Sequence, residues 1–137
     1  MDCCNRVNYP TQCSRSAGCN GGWSEDALQL VALQGIALSS DYPYVEATNN
    51  CNSGIPTYSI ITTPYANLTS GSVTTFKTAL NVRTVGVGVY ASTWSLYASG
   101  VYSCKKRVSY RMLNHMVLLV GYNSTSWKIK NSWGTTW

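Results

Sequence analysis

Charged side chains are scarce in this chain of 137 residues, at 11%, whereas soluble domains have about a quarter. This scarcity excludes a coiled coil or a helical array held by surface ion pairs. Long apolar runs are missing too: the longest, residues 116–120, has five residues, and a membrane span needs about 20. No signal peptide is recognisable, because Asp2 and two cysteines follow Met1 directly. The sequence predicts no membrane partner.

Acidic residues are absent from residues 47–137, which carry eight Lys and Arg, whereas residues 1–46 carry five acidic residues and two Arg. The two parts therefore have net charges of +8 and −3. A basic region can bind nucleic acid, but only four bases, at 105–107 and 111, cluster. Four bases make a small patch that is typical of a solvated loop. We therefore expect no nucleic-acid partner and two unlike parts.

Paired metal-ligand spacings are lacking, since no Cys-x2-Cys occurs and His115 is the single histidine. Structural zinc sites use such pairs, so no metal and no cofactor are predicted. Six cysteines are present, with N-x-Ser/Thr sequons at Asn67 and Asn123. Together they favour an oxidising compartment, lysosomal, vacuolar or extracellular, over the cytosol.

Apolar periodicity and turn residues predict an α+β chain whose composition changes near residue 57. Residues 1–56 contain one helix over about 24–34, with Ser24 as its N-cap and Gly35 as its stop. Residues 57–137 contain a short helix over 72–80, capped by Ser72, and are otherwise mainly β. The predicted strands lie at 58–63, 85–89, 116–122 and 127–130, with a turn at 123–126.

His115 is the one imidazole that could perform acid–base catalysis near neutral pH. It precedes the strand at 116–122, and Asn131 follows the next strand. A tight turn between these strands would bring the two residues together, so that the Asn131 amide oxygen accepts a hydrogen bond from one ring nitrogen. The other ring nitrogen would face a nucleophile. The alternative is a structural or surface histidine.

Five segments, in order along the whole chain, resemble the papain-like cysteine peptidases, the papain and cathepsin family. They are 18–22 (Gly-Cys-Asn-Gly-Gly), 41–44 (Asp-Tyr-Pro-Tyr), 99–102 (Ser-Gly-Val-Tyr), 113–122 (Leu-Asn-His-Met-Val-Leu-Leu-Val-Gly-Tyr) and 130–137 (Lys-Asn-Ser-Trp-Gly-Thr-Thr-Trp). The resemblance implies a two-lobe papain-like α+β fold, of which this chain is a part. Residues 1–56 would be a remnant of the helical lobe, and residues 57–137 would belong to the β-rich lobe.

The resemblance also implies cysteine-type hydrolysis of peptide bonds through an acyl-enzyme. His115 would pair with the nucleophilic thiolate and later protonate the leaving amine, while Asn131 would orient His115. Trp133 would shield their hydrogen bond from water and would be buried for that reason. The implied partners are peptide or protein substrates, bound by a monomer.

Substrate-binding roles follow from the same resemblance. Gly21 and Gly22 would let a peptide lie against the backbone, with Gly22 hydrogen-bonding to it, and a side chain at either position would crowd that approach. A pocket for the second residue before the scissile bond would be lined by Trp23, Ser24, Gly88 and Met116. Met116 stands where many relatives have a small residue, which would make this pocket shallow.

The family's nucleophile signature, Cys-Gly-[Ser/Ala]-Cys-[Trp/Tyr], does not occur in the chain; it lies about 130–150 residues before the histidine. The resemblance therefore places the nucleophile upstream of residue 1, and the chain alone is expected to be inactive. It pairs Cys3 with Cys51 and leaves two cysteines, at 19 and 104, without partners. Cys4 and Cys13 depart from the common family pattern, and we expect them to pair with each other.

Two other hypotheses stay open. The first is a non-catalytic papain-like homologue that keeps the cleft as a peptide-binding module, and it is motivated by the missing nucleophile. The second is a disulfide-rich secreted interaction domain, which would account for the cysteines and sequons but not for the ordered segments.

Overall fold

The computed structural model describes residues 4–60 and 65–137. Its backbone contacts divide the chain into two units, Met1–Asn67 and Leu68–Trp137. The division comes later than the composition change near residue 57, because Tyr58 forms an antiparallel bridge with Ile36 and so stays with the first unit. Of the strand predicted at 58–63, the described residues 58–60 contain only this bridge, and the remainder falls on residues 61–64, outside the described ones.

Helix α1 of the first unit, Ser24–Gln34, has the predicted bounds. Its N-cap is Trp23 rather than Ser24, because Trp23 keeps the extended backbone and Ser24 is already helical. The predicted stop at Gly35 is confirmed: its φ is 76°, and its N–H donates to the Val31 carbonyl. A Cβ on Gly35 would lie 2.7 Å from the Tyr58 carbonyl oxygen. Glycine is therefore required both by the backbone angle and by the close pairing with Tyr58.

The hydrophobic core of the first unit is small and is built around a disulfide. The predicted Cys4–Cys13 bond is present, and both cysteines pack with Leu30 of α1 and with Tyr9. The Gln34 side-chain amide donates to the Tyr9 hydroxyl at 2.8 Å. The loop closed by this disulfide is thus attached to α1 by apolar contact and by hydrogen bonding.

The predicted separation of the other cysteines into paired and free ones agrees with the structure at the residues that the structure describes. Cys19 and Cys104 are exposed free thiols. Cys51 is in a disulfide, and its predicted partner, Cys3, lies outside the described residues. The pairing of Cys3 with Cys51 therefore stays a prediction.

The second unit contains helix α2 and a three-stranded antiparallel sheet in the order β1-β2-β3. The elements are α2 Val73–Leu80, β1 Val85–Val89, β2 His115–Tyr122 and β3 Trp127–Lys130. All four were predicted to within one residue at each end. Ser72 caps α2 by accepting a hydrogen bond from the Thr75 N–H at 3.3 Å. In the described ranges, no helix is long and apolar enough to cross a bilayer.

Alternation along the strands gives this sheet one covered face and one open face. Val117 and Leu119 are 7% and 4% exposed. On the neighbouring positions, Met116 and Leu118 are 40% and 37% exposed. The edge of the Phe76 ring in α2 packs against Trp127 of β3, with ring centroids 6.4 Å apart. Helix α2 therefore fixes the hairpin of β2 and β3, whose free ends carry the candidate site.

Candidate active site

His115 and Asn131 meet at the open end of the β2–β3 hairpin. His115 begins β2, Asn131 directly follows β3, and the strands pair antiparallel through Leu118 and Lys130. The His115 Nε2 lies 2.8 Å from the Asn131 Oδ1. The structure thus forms the contact that the spacing predicted, although the two residues are 16 positions apart in sequence.

A second hydrogen bond fixes which atoms of this pair donate and accept. The Ser132 backbone N–H donates to the same Asn131 Oδ1 at 2.9 Å, so the amide atom that faces His115 is the oxygen. A carbonyl oxygen accepts only, so the His115 Nε2 carries the proton. In the neutral ring the lone pair then lies on Nδ1, and Nδ1 has no hydrogen-bond partner among the described residues. The arrangement leaves Nδ1 able to accept a proton from a reacting group.

Aromatic rings surround the His115 imidazole. The Trp133 ring centroid lies 5.1 Å from that of His115, with 35° between their planes. Trp94 meets His115 edge to face at 6.5 Å and 86°. Trp133 was expected to be buried but is 39% exposed, because its contacts are with neighbouring rings rather than with a closed core. Two indoles therefore restrict the imidazole on different sides.

Trp94 is a site residue that the sequence did not reveal, since it begins a 3-10 helix of a single turn, Trp94–Leu96, which is too short for a periodic pattern. Its carbonyl accepts a hydrogen bond from the Trp137 indole N–H at 3.2 Å. Asn114, next to His115, holds the loop before this turn: its Oδ1 accepts from the Ala91 N–H and its Nδ2 donates to the Ser92 hydroxyl, both at 2.9 Å. A signal was available in the composition, since three of the five tryptophans, at 94, 133 and 137, form this cluster.

Two buried donors near His115 have no partner in the part of the chain that the structure describes. They are the Asn131 Nδ2 and the Trp94 Nε1. A buried N–H without an acceptor costs about 1–3 kcal/mol, and a catalytic role is one of the reasons for which a protein keeps such a group. Both donors belong to residues that contact His115, so the cost is concentrated at the candidate site.

Comparison with known proteins identifies the family. Residues 1–137 match the family described as papain family cysteine protease. The chain belongs to this family. Its fold is accordingly a partial papain-like α+β fold, as predicted.

Individual relatives support the assignment. The chain is 39% identical over 126 residues to "Cathepsin L 2" of Paramecium tetraurelia, covering 88% of the chain and 37% of that protein. It is 37% identical over 148 residues to "Digestive cysteine proteinase 1" of Homarus americanus, covering 100% and 43%. Its structure matches a Carica candamarcensis cysteine protease in complex with E-64 with a TM-score of 0.80 and 31% identity, covering 90% and 58%. The chain thus spans less than half the length of these two sequence relatives.

The papain-family glycine pair lies in the first unit, and local structure accounts for both glycines. Gly21 has a φ of 105°, which L side chains rarely adopt. A Cβ on Gly22 would lie 2.6 Å from the Ser16 hydroxyl, and this hydroxyl accepts a hydrogen bond from the Trp23 N–H at 3.2 Å. The fold of the first unit therefore requires glycine at both positions, independently of any peptide that binds beside them.

A buried carboxylate supports this segment from α1. The Asp26 carboxylate accepts from the Arg15 N–H at 2.9 Å, from the Arg15 Nη2 at 2.8 Å and from the Ser16 hydroxyl at 3.0 Å. Burial by itself raises the pKa of Asp26, but the hydrogen bonds outweigh it and hold the pKa below its ordinary value. Spacing in the sequence does not reveal these bonds, because the partners of Asp26 lie ten and eleven residues earlier.

The four residues predicted to line a substrate pocket are brought together in pairs. In the first unit, Trp23 is 55% exposed and is followed directly by Ser24, which is half-buried. In the second unit, Gly88 pairs with Met116 across β1 and β2, and a Cβ on Gly88 would lie 3.6 Å from the Met116 Sδ. The second pair therefore forms a continuous patch on the open face of the sheet.

Proposed function

We propose that the protein hydrolyses peptide bonds with a cysteine thiolate as nucleophile and His115 as the acid–base catalyst. The observation that carries the proposal is the hydrogen bond from the His115 Nε2 to the Asn131 Oδ1, because it leaves the Nδ1 lone pair unpartnered among the described residues. Membership of a family of cysteine proteases supplies the reaction class.

The proposed mechanism assigns each proton to an atom. The His115 Nδ1 takes the thiol proton, and the thiolate adds to the substrate carbonyl carbon. The protonated ring returns this proton to the leaving amine as the peptide C–N bond breaks, which leaves a thioester. Water then attacks the thioester carbonyl carbon while Nδ1 accepts one of its protons. The C–S bond breaks, which releases the acid, and the proton on Nδ1 passes to the sulfur and restores the thiol. Asn131 keeps the ring in one tautomer and stabilises the imidazolium.

We propose that the nucleophile is a cysteine outside residues 1–137. Among the described residues, three cysteines are in disulfides, at 4, 13 and 51. The Cys104 thiol donates to the Lys106 carbonyl at 3.4 Å rather than to an imidazole. Cys19 lies in the Gly-Cys-Asn-Gly-Gly segment, which resembles the substrate loop of the family rather than its nucleophile segment.

We also propose that residues 21–22 bind the backbone of a peptide substrate, and that the patch of Gly88 and Met116 contacts a substrate side chain. The Met116 thioether occupies space on the open face of the sheet, which favours a shallow pocket. The proposed partners are peptide or protein substrates, bound by a monomer.

The proposed compartment is the lysosome or vacuole, or the outside of the cell. The Cys4–Cys13 disulfide favours an oxidising environment. Relatives named as a cathepsin and as a digestive proteinase support the same assignment.

The full-length protein tests these proposals directly. It should hydrolyse a fluorogenic peptide and should gain the mass of one inhibitor molecule when it is treated with E-64, which is bound to the Carica candamarcensis relative. Peptide mapping should place the adduct on a cysteine outside residues 1–137. An adduct on Cys19 would contradict our assignment of the nucleophile. Peptide binding without hydrolysis or adduct would favour a non-catalytic binding module.

A further inference from the structure

A pocket of about 760 Å³ lies in the first unit beside the segment of the two glycines. Two of its wall residues also support that segment. The Thr48 Oγ1 accepts from the Cys19 N–H at 3.0 Å, and the Ser16 Oγ accepts from the Trp23 N–H at 3.2 Å. The pocket and the proposed peptide path therefore share supporting residues inside a single unit.

The pocket has one positive charge that no acidic residue among the described ones neutralises. Among the described residues that line it, two are arginines and none is acidic. The Arg15 Nη2 lies 2.8 Å from the Asp26 Oδ1 and is neutralised by that carboxylate. Arg6 has no ion pair within residues 4–60 and 65–137, and its Nε donates to the Ser14 carbonyl. This bond holds the Arg6 guanidinium by one N–H and leaves its two terminal nitrogens as donors at the pocket wall.

Amide groups supply the other donors. The Asn5 Oδ1 accepts from the backbone N–H groups of Val7 and Asn8 at 2.9 and 3.0 Å, so the Asn5 Nδ2 is the part of that side chain that can serve a ligand. Asn49 and Asn50 complete the wall, and both are exposed. A guanidinium with two remaining donor nitrogens, together with several amide donors, matches a carboxylate, which accepts hydrogen bonds and carries the opposite charge.

We propose that this pocket binds a Glu or Asp side chain of the peptide whose backbone lies along residues 21–22. The inference rests on the proposed function for its peptide, but carboxylate binding does not require hydrolysis. Because Arg6 is exposed, its contact with a carboxylate is worth at most about 1 kcal/mol. That corresponds to about a three- to fivefold preference in affinity.

Equilibrium binding to the full-length His115→Ala variant tests the pocket without turnover. Fluorescent peptides carry Glu or Gln at each position in turn. At one position the Glu peptide should bind about three to five times more tightly than its Gln counterpart. Arg6→Gln should remove this difference, whereas Arg83→Gln, which removes an exposed charge from the second unit, should preserve it.

Three results would overturn the proposed carboxylate pocket. The first is that no peptide position shows a preference for Glu over Gln. The others are a Glu preference that survives Arg6→Gln, or one that Arg83→Gln removes to the same extent. Free glutarate provides a further arm, because displacement of the Glu peptide at a comparable concentration would assign the pocket to any small carboxylate instead. A Glu preference in a wild-type protein that cleaves neither peptide would leave the pocket standing and refute the proposed function. Cleavage of both peptides with no preference for Glu would support the proposed function and refute the carboxylate pocket.

Discussion

Asn131 determines what the single histidine of this chain can do. Its Oδ1 accepts from both the His115 Nε2 and the Ser132 N–H, so the ring cannot take the other neutral tautomer without losing a hydrogen bond. The sequence could predict this pair because a tight turn between two strands fixes which residues meet at their ends.

Asn131→Ala should therefore lower kcat/KM of the full-length protein by about 10–100-fold, since the ring loses the acceptor that orients it and stabilises its charged form. The measurement is peptide hydrolysis as a function of pH. Ser124→Ala, in the exposed turn of the same hairpin, is the control and should leave the rate unchanged. Equal rates for Asn131→Ala and wild type would refute the orienting role.

Other residues of the site could not be predicted from local patterns. Trp94 reaches His115 because Asn114 and Trp137 fix the loop that carries it, and neither contact follows from periodicity or spacing. Asp26 lies in the first turn of α1, and its hydrogen-bond partners lie in the preceding loop. Long-range hydrogen bonds of this kind depend on the path of irregular segments.

The low pKa of Asp26 makes its contribution to stability depend on pH. Because the folded pKa is depressed, the contribution is present above the unfolded pKa, about 3.9, and is lost as the pH falls through the folded value. At pH 6, Asp26→Asn should lower the free energy of unfolding by about 1–3 kcal/mol, and the difference from wild type should shrink below about pH 4.

Urea unfolding of the full-length protein at several pH values measures this difference. Glu46→Gln, which alters an exposed carboxylate, should have little effect at any pH. A deficit for Asp26→Asn that stays constant down to pH 2 would show that charge on Asp26 does not stabilise the fold.

At the scale of elements, the sequence located both helices and the three strands of the sheet. Alternation of Val85, Val87 and Val89 with glycine marked β1, and the apolar run from 116 to 120 marked β2. Errors fell at helix starts: the predicted cap Ser24 is the first helical residue, and Trp23 is the cap without a side-chain hydrogen bond. Residue type alone cannot decide whether Trp23 or Ser24 is the N-cap, because the backbone angles determine which of the two is already helical.

The end of α1 allows a paired test of why Gly35 is needed. Gly71 has almost the same φ, 77°, but a Cβ there would meet nothing within 4 Å. Gly71→Ala should therefore cost only the backbone term, about 1–2 kcal/mol. Gly35→Ala should cost a further 1–3 kcal/mol or so, because its Cβ would clash with the Tyr58 carbonyl. If urea unfolding shows the same loss of unfolding free energy for both variants, the structure around Tyr58 accommodates the Cβ at no cost in stability.

At the scale of the whole molecule, composition predicted two unlike parts with a change near residue 57, whereas the backbone contacts divide the chain after Asn67. Tyr58 belongs to the first unit because of its bridge with Ile36, and the units divide after Asn67. A composition change records which residues occur, whereas the boundary depends on which segments pair across long loops. The ordered family segments were the more reliable guide, since the family match extends over residues 1–137.

The proposed function depends on His115 as the acid–base catalyst of a cysteine peptidase. The most direct measurement compares kcat/KM of the full-length wild type with that of His115→Ala, using a fluorogenic peptide near neutral pH. General acid–base catalysis contributes about 10²–10⁴-fold, so the variant should lose at least about a hundredfold while keeping its fold by circular dichroism. A folded His115→Ala protein that cleaves the peptide at the wild-type rate would contradict the claim.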